Sequence, residues 1–409
     1  MRDPGSGERV DDALAVSFPA PHSYTGEDVV ELHVHGGAGV VAACMLSALS
    51  SGARLAQPGE FTRRAFVNGR MDLAQAEAVA DVIDAQSRLA AKAAVNRLDG
   101  SVGRALSELR RVLMARLVEI EAHVDYPDEV PAPSSDETAS LVRAQRETVG
   151  RLVAGAGAAK VLRDGIDCVI AGPPNAGKSS LLNALLDAER AIVSNVPGTT
   201  RDVIEDRVAV DGVVLRLRDT AGLRQTGDAI EAQGVARARA AIERSELILL
   251  VIDGSHPLEV DERAALELTD GRTRIVICNK GDLGDAGVRE LRVLRPDVAN
   301  AGPRTAFVAG SVRDQTCIAA VREEIARLGW GGGAIDANAA LVANVRQIDA
   351  IVRAREALDH AFATIEAGHP IDMLSGDLRA AIAAYGEVTG ETVTQEVLDG
   401  IFSRFCVGK

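Results

Sequence analysis

The chain has 409 residues, 47% of them apolar, and carries a formal net charge of −14. That length allows two or three domains, and the acidic balance argues against a general nucleic-acid coat, so any RNA contact should be a local basic patch or be shared with a partner. There is no apolar run long enough to span a membrane, no apolar secretory segment within 1–10, and no CxxC pair among the five cysteines, which together read as a reduced, cytoplasmic chain without a membrane segment.

In chain order, 29–35 (VVELHVH) reads as a strand ending at Gly36-Gly37, 38–50 as a helix, and Pro58-Gly59 as a turn. From Met71 to about His123 the pattern is helical. Leu73, Ala76, Val79 and Ile83 form one stripe and Leu106, Leu109, Leu113, Leu117 and Ile120 another, with Gly100 and Gly103 expected to separate two helices. After a break at 127–133, Ser134 and Glu137 stand at capping-box spacing before a third helix that runs to about Leu162. Residues 165–330 change character. Short β-branched runs at 168–171, 207–210, 213–218, 247–253, 275–279 and 305–309 alternate with helical segments, and Asp211-Gly212 is a hairpin signal. Gly331-Gly332-Gly333 marks a boundary. Helix is then expected over 339–368 and on to Gly390, and Thr392 with Gln395 should cap a last amphipathic helix carrying Val397, Leu398, Ile401, Phe402 and Phe405. Helices flank the α/β segment on both sides, so the expected fold is an α/β P-loop G domain with a mostly parallel sheet, inserted in a discontinuous all-α helical domain. The expected limits are 1–69, 70–162, 163–332 and 333–409.

Gly172-Pro173-Pro174-Asn175-Ala176-Gly177-Lys178-Ser179 matches G-x-x-x-x-G-K-[ST] between a predicted strand and a helix, the context the motif requires. Its backbone N–H groups, with Ser180 beginning the helix, can wrap a phosphate. Lys178 should reach the β- and γ-phosphates and Ser179 should hold Mg²⁺. Asp219, Thr220, Ala221 and Gly222 follow the 213–218 strand, placing a carboxylate near Mg²⁺ and a glycine N–H at the γ-phosphate. Asn279-Lys280-Gly281-Asp282 follows the 275–278 run as N-K-x-D. Asp282 can accept from both N1–H and the N2 amine of guanine, and adenine offers neither donor, so GTP is the expected nucleotide. The N-K-x-D pattern is similar to that of the GTPase superfamily, whose base-covering loop follows the next strand, which implies Ser311 and Val312 for that loop. Switch I should lie at Pro197, Gly198, Thr199 and Thr200, with Ser194, Asn195 and Val196 before it and Thr200 completing the Mg²⁺ shell. Arg201 reads as a switch-surface charge rather than an arginine finger. Leu223 cannot orient a water as a glutamine would, and two downstream acids, Asp228 and Glu231, are open candidates for that task.

Four further stretches carry a resemblance. SYTGED at 23–28, His35-Gly36-Gly37, PGEFTRRAF at 58–66 and DLAQAEA at 72–78, together with 197–202, 219–224 and the terminal FCVGK at 405–409, resemble the MnmE (or TrmE) family of tRNA-modifying GTPases over essentially the whole chain. The resemblance implies an α/β N-terminal domain that binds 5,10-methylene- or 5-formyl-tetrahydrofolate and forms the interface of a cytoplasmic homodimer. It implies joint work with the flavoprotein MnmG, as a heterotetramer, in placing an aminomethyl or carboxymethylaminomethyl group on C5 of the wobble uridine of certain tRNAs. It also implies K⁺ activation, with Asn175, Ser194, Val196 and Thr199 as K⁺ ligands, Glu231 as the group that positions the attacking water, and folate contacts at Glu31, Arg70 and Lys409. The family usually begins several dozen residues earlier with an arginine-rich segment that helps bind folate. The N-terminal domain is therefore expected to be truncated and its folate site impaired, or the start codon misassigned. Cys406 matches a family cysteine whose role does not follow from the residues.

His33 and His35 alternate on a strand and invite a metal; strand packing is the plainer expectation. Arg63-Arg64 and Arg110-Arg111 invite a tRNA patch; solvated helix and loop charges are the plainer expectation. A ribosome-assembly GTPase of the Era or Der kind is the second functional reading, although the N-terminal SYTGED and terminal FCVGK motifs are foreign to it. A folate-binding module whose G domain acts only as a switch is the third.

Overall fold

The computed structural model describes residues 1, 2, 5, 7–190, 206–217, 239–300, 302–331, 342 and 344–405. Its elements in chain order are β1 (Leu14–Phe18), β2 (Val29–His33), α1 (Ala38–Ser50), α2 (Glu60–Val67), α3 (Leu73–Asp84), α4 (Arg88–Leu98), α5 (Ser101–Asp125), α6 (Ser135–Asp164), β3 (Ile166–Ala171), α7 (Lys178–Arg190), β4 (Asp206–Val210), β5 (Val213–Leu217), β6 (Leu247–Asp253), α8 (Val260–Leu268), β7 (Arg274–Asn279), α9 (Ala286–Leu294), α10 (Pro296–Ala299), β8 (Thr305–Ala309), α11 (Gln315–Trp330), α12 (Val345–Glu366), α13 (Ser375–Thr389) and α14 (Gln395–Phe402). By their internal packing the residues fall into two compact units: Met1–Asp84, Ala94–Ala154 and Asn344–Lys409 in the first, Ala85–Ala93 and Gly155–Ala343 in the second.

The second unit is built on a six-stranded sheet in the order β4-β5-β3-β6-β7-β8. Only β4 and β5 run antiparallel; β5, β3, β6, β7 and β8 pair in parallel. Strands β6 (LILLVID) and β7 (RIVICN) are buried at every position, as expected of parallel strands covered by helices on both faces. One face packs Leu181, Leu182 and Leu185 of α7 with Ile318, Val321 and Ile325 of α11. The other packs Leu266 of α8 with Val288 and Leu291 of α9. The hairpin expected at Asp211-Gly212 is present, with φ +50 and +86, the doubly left-handed turn that matches strand twist. Strand β3 lies where chain order reverses, between β5 and β6, so the loop after it opens at the point where such sheets bind ligands.

In the first unit, β1 and β2 form a two-stranded antiparallel ribbon. Helix α13 packs on both α5 and α12, with Leu106, Leu113 and Ile120 of α5, Ile351 and Leu358 of α12, and Leu378 and Tyr385 of α13 buried. The Tyr385 hydroxyl donates to Gln145 Oε1 at 2.9 Å, and Gln145 Nε2 donates to the Leu109 carbonyl at 2.9 Å, so the buried polar groups are satisfied. A smaller aromatic cluster joins Leu73, Phe66, Phe402 and Phe405.

Several expectations are corrected. Gly100 ends a helix in the left-handed region (φ +69), but Gly103 lies inside α5. A β-carbon on Gly103 would stand 1.7 Å from Asp72 Oδ2, so that glycine serves a close approach rather than a break. A further break at 85–87 separates α3 from α4. Ile83 is exposed rather than part of the buried stripe. The helix expected from 339 begins at Val345, with Asn344 as its N-cap. Thr394, not Thr392, occupies the N-cap of α14, and the Thr392 hydroxyl instead donates to the Ala383 carbonyl at 3.2 Å.

Candidate nucleotide-binding site

At the end of β3 the chain turns at Gly172 with φ +137, and a β-carbon there would meet the Val251 carbonyl oxygen at 2.0 Å, so only glycine fits. Asn175 is left-handed at φ +61, a conformation its short polar side chain tolerates. Gly177 (φ +106) leaves room for Asn279, whose Nδ2 would lie 2.1 Å from any β-carbon there. Helix α7 then starts at Lys178, so the unpaired N–H groups and positive dipole end of its first turn face the loop. Lys178 Nζ donates to the carbonyl oxygens of Gly172 and Pro173 at 2.8 and 2.7 Å, curling back over the loop, and burial pulls its ammonium below the ordinary lysine range. Asn175, Ser179 and Ser180 are exposed and Ala176 is buried.

Asn279, only 3% exposed at the end of β7, ties the site together. Its Nδ2 donates to the Ala176 carbonyl at 2.8 Å, and its Oδ1 accepts from the Val312 N–H at 2.9 Å. One side-chain amide therefore fixes the phosphate loop against the expected base-covering loop. The same loops are laced by backbone: Gly281 N–H donates to Gly310 O at 2.8 Å, and Gly310 N–H to Cys278 O at 3.0 Å. Asp282 stands exposed beyond this tie, as a carboxylate that reads a base edge must. Lys280 is left-handed at φ +62, and its Nζ lies 2.5 Å from Asp253 Oδ2 at the end of β6. Burial pushes the Asp253 carboxyl up, but Lys280 and the two Ser255 donors outweigh it and hold the group below the usual carboxylate range. Sequence reasoning missed Asp253, because its partner lies on a neighbouring strand. The cysteines beside the site are buried and inert; burial pushes the Cys278 thiol up to about 12.

The structure thus brings together Asn175, Ala176, Gly177, Lys178, Ser179, Ser180, Asn279, Lys280, Asp282, Ser311 and Val312 at the C-terminal ends of β3, β7 and β8. Ser194, Asn195, Val196, Pro197, Gly198, Thr199, Thr200, Arg201, Asp219, Thr220, Ala221, Gly222, Leu223, Asp228, Glu231, Cys406 and Lys409 lie outside the described residues. Ser179, an exposed hydroxyl on the first turn of α7, offers the hard oxygen that Mg²⁺ takes.

In the first unit the SYTGED loop is knit to α2. Tyr24 and Thr62 hydroxyls meet at 2.9 Å, Asn68 Nδ2 donates to the Thr25 carbonyl at 2.8 Å, and the Arg70 Cγ lies 3.1 Å from where a β-carbon of Gly26 would stand. Glu31 and Arg70 are both exposed. His33 and His35 are exposed as well, so the packing expectation is corrected: His33 pairs with Glu31 at 3.2 Å and His35 with Asp11 at 2.9 Å. No cluster of three metal-ligating His, Cys, Asp or Glu side chains occurs among the described residues. The arginine pairs are engaged by acids: Arg63 by Asp399, Arg64 by Glu27 and Glu60, Arg110 by Glu391, Arg111 by Glu108.

A family model described as MnmE helical domain matches residues 73–406, and one described as GTP-binding protein TrmE N-terminus matches residues 1–70. The chain is 47% identical over 405 residues to the tRNA modification GTPase MnmE of Symbiobacterium thermophilum, covering 98% of this chain and 87% of that protein. The chain belongs to the MnmE family. A second MnmE relative, from Geobacter sulfurreducens, is 44% identical over 409 residues, covering 100% of this chain and 88% of its own. Among solved structures, the translation elongation factor SelB of Methanococcus maripaludis superposes with a TM-score of 0.30 at 15% identity, over 41% of this chain and 34% of that one, a likeness too weak to carry weight. Membership in the MnmE family agrees with the motifs at both ends of the chain and with the phosphate loop between them.

Proposed function

We propose that this chain is a K⁺-activated GTPase that acts with the flavoprotein MnmG in modifying C5 of the wobble uridine of certain tRNAs. The observation that carries the GTPase reading is the Asn279 amide, which joins the phosphate loop at Ala176 to the base loop at Val312 and leaves Asp282 exposed for guanine. The tRNA-modification reading is supported by relatives named tRNA modification GTPase MnmE that cover nearly the whole chain. That coverage, and a helical-domain match over 73–406, disfavours an Era- or Der-type ribosome-assembly role.

In this reading Lys178 swings from its loop carbonyls to the β- and γ-phosphates, and Asp282 selects guanine. Ser179 and Thr200 would hold Mg²⁺, and Asn175, Ser194, Val196 and Thr199 would hold K⁺; bound there, the cations offset the charge that develops on the transferred phosphoryl group. Glu231 orients the attacking water, a task that Leu223 cannot perform. Glu31, Arg70 and Lys409 would contact a one-carbon tetrahydrofolate if the folate site is retained. The α/β unit is an insertion in a discontinuous helical domain, a reading supported by the return of the chain to the first unit at Asn344. A homodimer is supported by the apolar side chains the ribbon exposes on both faces, Leu14 at 72% and Val30 at 65%. Among the described residues no helix is long and apolar enough to cross a membrane.

Phosphate release measured at equal ionic strength should be faster in K⁺ than in Na⁺, and equal rates refute the K⁺ site. In the same assay Glu231→Ala should lose about a hundredfold in turnover while keeping its affinity for a fluorescent GTP analogue. Normal turnover in Glu231→Ala with loss in Asp228→Ala transfers the role to Asp228.

A further inference from the structure

The guanine-reading loop has to do two opposed things within four residues. Asn279 must point inward to the phosphate loop, and Asp282 must stand out in solvent. The chain reverses between them at Lys280, a non-glycine residue in the left-handed region at φ +62. Residues seldom hold that conformation unless their surroundings fix it. Backbone bonds flank this turn, from Leu283 N–H to Lys280 O at 2.9 Å and from Gly281 N–H to Gly310 O at 2.8 Å, and Asp253 is the side chain that holds the Lys280 ammonium. Parallel pairing of β6 with β7 sets Asp253 beside Asn279, and the Asp253 carboxylate reaches one residue further to the Lys280 ammonium at 2.5 Å. The carboxylate is itself held from several sides. Ser255 donates to Asp253 Oδ1 through its N–H at 3.0 Å and its hydroxyl at 2.6 Å, and His256 Nε2 stands 3.5 Å from Oδ2. The Asp253 N–H donates to Glu262 Oε1 at 2.9 Å, and Glu262, only 2% exposed, is locked in the capping box at the start of α8. Asp253 is 7% exposed, so its bond to Lys280 is shielded from water far more than a surface pair would be.

We propose that Asp253 is a positioning residue for nucleotide recognition, which by holding the Lys280 ammonium fixes the left-handed turn that presents Asp282 to the guanine base. This inference rests on the GTPase reading above and adds a residue to it. Asp253 acts on binding through Lys280 and touches no phosphate, so its loss should raise KM and spare kcat.

The test is a double-mutant cycle read by titration with a fluorescent GDP analogue and by GTP turnover in K⁺. Asp253→Asn should weaken nucleotide affinity by about tenfold, the scale of a lost charge-assisted hydrogen bond, with kcat at saturating GTP retained. In a Lys280→Met background the same substitution should cost nothing further. Ser255→Ala, which removes one of the donors that orient the carboxylate and is milder for folding, should shift affinity in the same direction by a smaller factor. Losses from Asp253→Asn and Lys280→Met that simply multiply overturn the proposal, as does a fall in kcat without a rise in KM. Failure of the unaltered protein to bind GDP overturns the GTPase reading and this proposal with it. Tight binding by the unaltered protein with Asp253→Asn unchanged overturns this proposal alone.

Discussion

Replacing Asn279 by alanine is the sharpest single perturbation of the site. The substitution removes a donor to the Ala176 carbonyl at 2.8 Å and an acceptor for the Val312 N–H at 2.9 Å. Both partners belong to residues that are buried, at 1% and 4% exposure, so water does not readily replace the amide. A buried polar group left without a partner costs about 1–3 kcal/mol, which gives about 2–6 kcal/mol for the two before any relaxation. Part of this should appear as lost stability of the α/β unit, and part as lost affinity, because the two loops must be brought together again when nucleotide binds. A loss of about 2 kcal/mol in binding corresponds to roughly thirtyfold in Kd. Urea unfolding with and without GDP separates the two contributions, since bound ligand stabilises by its own affinity. Asn279→Asp keeps the acceptor for Val312 but cannot donate to Ala176, so it should be no milder than the alanine variant at neutral pH. Unchanged unfolding midpoints and unchanged GDP affinity in Asn279→Ala refute the reasoning.

Two further outcomes follow from buried geometry. Glu77, 6% exposed on α3, accepts from Asn344 Nδ2 at 2.8 Å, Arg346 Nε and Nη2 at 3.0 and 2.7 Å, and Gln347 Nε2 at 2.5 Å. Glu77→Gln turns one acceptor into a donor against these groups and should destabilise the helical unit by about 3 kcal/mol in urea unfolding, a loss below about 0.5 kcal/mol contradicting the account. Gly172→Ala forces a β-carbon to 2.0 Å from the Val251 carbonyl at a φ of +137, so the variant should lose binding of the fluorescent GDP analogue, and retained affinity contradicts it.

Local chemistry was legible in the sequence; contacts between distant segments were not. The phosphate loop, the N-K-x-D turn and the Asp211-Gly212 hairpin could be read because each is set by a few adjacent residues with special backbone needs. The buried strands declared themselves as apolar runs, and 247–253 and 305–309 agree residue for residue with β6 and β8. The break between α3 and α4 has no glycine or proline to announce it. Ser87 makes it, with its hydroxyl accepting from Ala90 N–H at 3.1 Å and donating at 2.5 Å to the carbonyl of Gly212 in the hairpin, a partner 125 residues away. Strand β1 (LAVSF) was not legible because only one of its five residues, Val16, is β-branched, whereas β2 opens on Val29-Val30. Gly103 looked like punctuation because its reason, the approach of Asp72, is tertiary. Asp253 escaped for the same reason, since only the pairing of β6 with β7 puts it beside Lys280.

The central claim is that this chain reads and hydrolyses a guanine nucleotide through Asp282, which stands exposed at the end of the loop that Asn279 anchors. The direct test is steady-state turnover of GTP and of xanthosine triphosphate by the unaltered protein and by Asp282→Asn. A carboxylate accepts from guanine N1–H and the N2 amine, whereas an amide presents a donor that suits the xanthine carbonyl at that position. The unaltered protein should prefer GTP, and Asp282→Asn should reverse that preference towards xanthosine triphosphate by a large factor. An undiminished preference for GTP in Asp282→Asn would contradict the account.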